Sequence, residues 1–145
     1  MGVIRAVNIS KEKGTRKKNI VSGLLVAGHG LEGDAHAGPG NRQVSLLAWE
    51  SIQRARSRGL DVGPGDFAEN LTTEGIDLAS LRVGTKLAIG PQAVGEVTQI
   101  GKACHAPCEI RRLTGDCVMP REGIFIRVLV GGPVKVGDRI EVLES

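Results

Sequence analysis

Apolar and polar positions alternate through Val3-Ile4-Arg5-Ala6-Val7-Asn8-Ile9, the period of a strand with one buried face. The polar run 10–19 interrupts the pattern. Residues 20–27 resume it, which predicts a return strand and a hairpin with a basic tip around Lys17 and Lys18. The next thirteen positions, 28–40, hold five glycines and a proline, a density that supports neither helix nor strand and suits a loop able to bring backbone amides close to a ligand. Ser45 followed by Leu46, Trp49 and Ile52 at helical spacing predicts a helix over 45–58, capped by Ser45, stopped by Gly59 and anchored in the core by Trp49. Its basic end, with Arg54, Arg56 and Arg58, suits the helix dipole. Beyond it the chain reads as short strands. Segments 83–89 and 136–142 share a Val-Gly start, a small polar residue, a cation and then alternating apolar positions, as two turn-and-strand units of one sheet would. Segments 93–100 and 124–130 supply further strands, and 107–113 predicts a short helix. The fold class is mainly β, a small barrel or sandwich with one or two short helices.

At 145 residues the chain fits one domain, 1–145, with one site as the default. Twenty-one glycines against one Trp, two Phe and no Tyr imply many tight turns and bulges. The same shortage of aromatic rings argues against a base-stacking surface, so a net charge of +3 and a pI near 9.0 point to an anion pocket and away from nucleic acid. No apolar run approaches the roughly 20 residues that cross a bilayer, so no membrane association is expected. The opening residues lack the long apolar segment of a secretory signal, and the cysteine count is odd, at three. Free thiols in a reducing, cytoplasmic setting are the expectation.

Those three cysteines, Cys104, Cys108 and Cys117, lie within fourteen residues together with His105. Thiolates are the strongest soft-metal ligands and sulfur nucleophiles in a protein, and Lys102, Arg111 and Arg112 would favour the thiolate form. The helix expected over 107–113 would place Cys108 near its start, where backbone amides acidify a thiol further. Burial as a core filler is the alternative, but Cys104 and Cys108 are flanked by Lys102, His105, Pro107 and Glu109, a poor setting for packing. Zinc is a second ligand to weigh, since Cys104, His105, Cys108 and Cys117 number four. Adjacent Cys104 and His105 rarely chelate one tetrahedral ion together, which disfavours it.

Five segments in order carry a family resemblance: Gly-Leu-Glu-Gly-Asp-Ala-His-Ala (30–37), Arg-Gln-Val-Ser-Leu-Leu (42–47), Gly-Asp-Phe-Ala-Glu-Asn-Leu-Thr (65–72), Val-Gly-Thr-Lys-Leu-Ala-Ile-Gly (83–90) and Cys-His-Ala-Pro-Cys (104–108). Together the chain resembles a stand-alone MOSC domain, the C-terminal domain of molybdenum cofactor sulfurases. The resemblance implies a MOSC-type β-barrel that binds molybdopterin-type molybdenum cofactor, with one cysteine ligating molybdenum or carrying sulfur. Cys108 matches that cysteine best; the Cys-x-x-x-Cys spacing and the added Asp116-Cys117 depart from the family pattern and keep Cys117 open as the metal ligand. Such a cofactor needs a sulfur ligand, a cationic pocket for its phosphate and polar groups along its pterin edge. Arg42 and the basic hairpin at Lys17 and Lys18 are candidates for the phosphate, with Arg121 a further anion contact. Asp34, His36 and Gln43 are candidates for the pterin. The implied activities are cofactor carriage, sulfur acceptance, or reduction of N-hydroxylated compounds. The implied partners are a cofactor-delivery protein or cysteine desulfurase, or an electron-transfer protein, because the chain offers no redox group of its own.

Overall fold

The computed structural model describes residues 2–10, 17–35, 37–40, 42–59, 61–67, 69–100 and 123–144. Strand β1 (Gly2–Ile9) keeps the expected alternation through Ala6, with Val3 and Arg5 outward. The alternation breaks beside a bulge against β6 (Leu71–Glu74), after which Val7 and Asn8 are both buried. Seven strands close a barrel in the order β11 (Arg139–Glu144), β7 (Lys86–Ile89), β8 (Ala93–Ile100), β9 (Ile124–Val130), β5 (Val44–Ala48), β6 and β1, and the pairing of β1 with β11 completes the ring. Its interior is filled by aliphatic side chains such as Ile4, Leu46, Leu71, Leu87, Ile126 and Ile140, all fully buried. The two Val-Gly segments pair with each other, Ile140 opposite Ile89 and Val142 opposite Leu87, as two units of one sheet.

Three expectations need correction. The return strand over 20–27 does not run back along β1. Only β2 (Lys18–Asn19) pairs there, opposite Ile9 and Asn8. Asn19 Oδ1 accepts the amides of Val7 and Val21, and Val21 takes a φ of +70°, which turns the chain away. Strand β3 (Ser22–Val26) therefore joins a second sheet with β10 (Gly132–Lys135) and β4 (Gly30–Leu31). The glycine-rich stretch thus carries a strand after all, two residues long, with Leu31 in the core.

The helix expected over 45–58 is half strand. Val44 to Ala48 form β5, and helix α1 spans Trp49–Ser57, with Ala48 at its N-cap and no side-chain cap. Leu46 faces the barrel interior, whereas Leu47 packs under α1 with Ile52, Ala55, Val62, Phe67 and Phe125 in a second small core. A strand covered on both faces is apolar at successive positions, so its sequence has no period of two to betray it. Gly59 ends the helix at φ +92° as expected, and Trp49 is half-buried against the small core with Arg5 and Arg56 over its ring. Strands β5 and β6 run parallel, so α1 and the residues after it form the crossover between them. A short 3-10 turn, Leu78–Ser80, follows β6.

Candidate functional site

The residues before β6 hold a buried polar network. Asn70 binds β5 through Ser45, whose amide donates to Asn70 Oδ1 at 2.9 Å, and binds β1 through Asn8, whose carbonyl accepts from Asn70 Nδ2 at 3.2 Å. Ser45 is therefore a strand partner of Asn70, not a helix cap. Asn8 Nδ2 donates in turn to the carbonyl of Glu69 and to Thr72 Oγ1. All of these side chains are buried.

Glu69 lies at the centre. Its Oε2 accepts from the Gly65 amide at 3.0 Å and from the Thr72 hydroxyl at 2.7 Å, while its Oε1 and the Oδ1 of Asn8 are buried with no hydrogen-bond partner among the described residues. Burial pushes its carboxyl from 4.5 up to about 7, because desolvation outweighs the hydrogen bonds that favour the ionised form. Gly65 has a φ of +87°, and a Cβ there would run into the carbonyl of Lys17. Only glycine lets the two backbones approach closely enough for the Lys17 amide to donate to the Gly65 carbonyl at 2.8 Å.

Lys17 is the second centre. Its Nζ lies 2.7 Å from Asp34 Oδ1, both side chains are 0% exposed, and Nζ also reaches Ser10 Oγ at 3.2 Å. The amide of Ser10 donates to the same Asp34 oxygen at 3.0 Å. Two charges taken out of water hold together only with such close pairing and added hydrogen bonds. The adjacent lysines thus divide, Lys17 inward and Lys18 exposed on β2.

A third group flanks the segment between β8 and β9. Ile100 and Ile124 are paired neighbours, so the chain leaves and re-enters the barrel at one place. Arg42 is exposed beside it: its Nε donates to Gln99 Oε1 at 2.9 Å and its guanidinium lies over the Phe125 ring. Gln43 is buried and serves the barrel, with Oε1 accepting the Val128 amide at 2.9 Å and Nε2 donating to the Gly40 carbonyl. Cys104, His105, Cys108, Cys117, Arg121 and His36, with the helix expected over 107–113, lie outside the described residues. Among the described residues no three His, Cys, Asp or Glu side chains group as a metal site, and no helix is long and apolar enough to cross a membrane.

Sequence reasoning named Asp34, Arg42, Gln43 and the lysine pair. It assigned no role to Asn8, Gly65, Glu69 or Asn70, although three of these stand in a quoted motif. The available signal was polar Glu69-Asn70 set between apolar Phe67 and Leu71.

The model of the MOSC domain matches residues 32–141. The fold is similar to that of the YuaD protein from Bacillus subtilis, with a TM-score of 0.75 and 21% identity over 97% of this chain and 94% of that one. YiiM from Geobacillus stearothermophilus gives a TM-score of 0.75 at 19% identity, covering 99% of this chain and 76% of that one. YiiM from Escherichia coli gives 0.70 at 21%, covering 100% and 71%. No curated protein matches the chain.

Proposed function

The chain belongs to the MOSC domain family, and on that premise we propose that it binds molybdenum cofactor and carries it, accepts sulfur onto it, or uses it to reduce N-hydroxylated compounds. The observation that carries this reading is Arg42. Its guanidinium is held by Gln99 and Phe125, residues that border the two ends of the segment bearing Cys108 and Cys117. A fixed planar cation beside a cysteine-rich segment suits a ligand with one anionic tail and one soft metal.

Exposed cations among the described residues support this reading. Exposed Arg42 and Lys18 offer cations to the phosphate, with Arg121 a further contact. Asp34 is engaged with Lys17 and Gln43 with the Val128 amide, both buried, which leaves His36 as the pterin contact proposed. Cys108 is the proposed thiolate ligand and Cys117 its alternative. When bound, the cofactor supplies metal-centred redox and sulfur-accepting chemistry. A cysteine desulfurase or cofactor-delivery protein is the partner of the carrier role, an electron-transfer protein that of the reductase role, both in the cytoplasm.

Protein purified from a cofactor-producing host tests the reading. Molybdenum and pterin should co-purify in near-equal amounts, and Cys108→Ser should lose both with an unchanged thermal transition. Zinc at one per chain without pterin would overturn it. Retention by Cys108→Ser and loss by Cys117→Ser would move the ligand to Cys117.

A further inference from the structure

Arg42 meets its partners across three adjacent strands. It lies just before β5, its guanidinium stands 5.4 Å from the centre of the Phe125 ring on β9, and its Nε donates to Gln99 Oε1 on β8 at 2.9 Å. Gln99 is in place because β8 is irregular there. Glu96 pairs with Arg127 and Val97 with Ile126, but the next partner of Phe125 is Gln99, with Thr98 left over as the extra residue of a bulge. The Thr98 hydroxyl fastens that bulge to the Phe125 carbonyl at 3.2 Å. In a regular strand Thr98 would stand opposite Phe125 and Gln99 would turn to the other face, so the bulge re-aims one side chain onto Arg42.

The kind of acceptor matters. Arg5 and Arg127, which also pair across strands, are held by carboxylates, Glu74 and Glu96, and the second of these lies two rungs from the Gln99–Phe125 pair on the same two strands. Gln99 is neutral, so it orients Arg42 and leaves the charge uncompensated. Among the described residues neither Nη nitrogen of Arg42 has a partner, and one face of its guanidinium is turned to Phe125, which is only 5% exposed. The edge left open is the Nη fork, which suits two oxygens of a tetrahedral oxyanion.

We propose that Gln99 is a positioning residue that selects a doubly charged tetrahedral oxyanion: as a neutral acceptor it fixes the Arg42 guanidinium over Phe125 and leaves its full charge to the ligand. The identity of that oxyanion as the phosphate end of the cofactor rests on the function proposed above. A carboxylate at the same place, as at Glu96, would orient the cation equally well and repel the ligand.

NMR titration of the full chain, made in a host that lacks molybdenum cofactor, tests this at the Arg42 Nε–Hε signal. Sodium sulfate supplies a tetrahedral dianion, and sodium chloride at matched ionic strength is the control. A saturable shift is expected with sulfate and none with chloride. Gln99→Glu keeps an acceptor of the same size, so the Arg42 signal should stay at its hydrogen-bonded position while sulfate affinity falls about tenfold, as one carboxylate roughly 6 Å from a dianion would produce in water. Gln99→Leu adds no charge and releases the guanidinium, so the signal should move to its free position and affinity should fall less. The spectrum of each variant reports its fold directly. No saturable sulfate shift in the natural sequence, unchanged affinity in Gln99→Glu, or a larger loss in Gln99→Leu than in Gln99→Glu would overturn the proposal. Molybdenum and pterin analysis of protein from a cofactor-producing host keeps the two readings apart: cofactor without a sulfate response removes the role of Gln99 alone, and a sulfate response without cofactor removes the cofactor reading alone.

Discussion

Glu69 ties the stability of this barrel to pH. In the unfolded chain its carboxyl titrates at the ordinary value of 4.5, and in the folded chain burial raises it to about 7. Between those values the folded protein holds a proton that the unfolded chain has released, so stability falls as pH rises through the window. The contribution is fully present below 4.5 and is gone once pH has passed through 7. A displacement of that size is worth about 3 kcal/mol, most of which is lost between pH 5 and pH 8. Glu69→Gln removes the titration while keeping an acceptor for Gly65 and Thr72. Urea unfolding of both proteins at pH 5, 6, 7 and 8 therefore has a defined outcome. The stability difference should move in favour of the variant by roughly 2 to 3 kcal/mol across the series, with most of the change below pH 7. A difference that stays flat would show that Glu69 ionises freely in the fold, and the argument from its burial would fail.

Three further outcomes concern Lys17, Gly65 and Arg42. Lys17→Met leaves Asp34 buried without its cation and should cost about 3 to 5 kcal/mol in chemical denaturation, part of which Asp34→Asn in the same chain should restore. Gly65→Ala should destabilise by at least about 1 kcal/mol, because its φ of +87° is strained for alanine and its Cβ meets the Lys17 carbonyl; an unchanged transition would mean that the two backbones separate without cost. Arg42→Ala should weaken cofactor binding by roughly 2 to 3 kcal/mol with Arg42→Lys restoring part of it, whereas Arg56→Ala, over the Trp49 ring, should change that affinity little. Equal losses at Arg42 and Arg56 would point to a diffuse basic surface and remove the specific contact.

The parts of the fold that were legible in the sequence are those where one face of a strand meets the core and glycine marks its ends. Segments 93–100 and 124–130 are β8 and β9 at the expected bounds, and the two Val-Gly units are paired neighbours. Where both faces are covered, the signal disappears: Val44 to Ala48 sit between the barrel core and α1, and their apolar run was indistinguishable from a helical stripe that happened to include Leu46, Trp49 and Ile52. Short strands fail for another reason. Gly30–Leu31 belongs to a sheet because β3 lies alongside, a tertiary fact that two residues cannot encode.

The site divides along the same line. A lysine-rich hairpin announces charge, but nothing local says that Lys17 turns inward to Asp34 while Lys18 stays in water. That choice is made by Gly65, forty-eight positions on, whose carbonyl takes the Lys17 amide. Gly65 is in turn held by Glu69, and Glu69 by Thr72 at the start of the parallel β5–β6 pair. The polar residues around Glu69 therefore serve two ends at once. They close the barrel where β1, β5 and β6 meet, and they fix the backbone that carries the basic hairpin. A barrel built this way cannot loosen at Glu69 without also shifting Lys17, so ionisation of Glu69 in the folded chain should alter the environment of Lys17. A Lys17 amide shift with its midpoint near the folded Glu69 value of about 7, where the stability loss levels off, is the signature of that coupling, and a Lys17 amide indifferent to pH between 5 and 8 would break it.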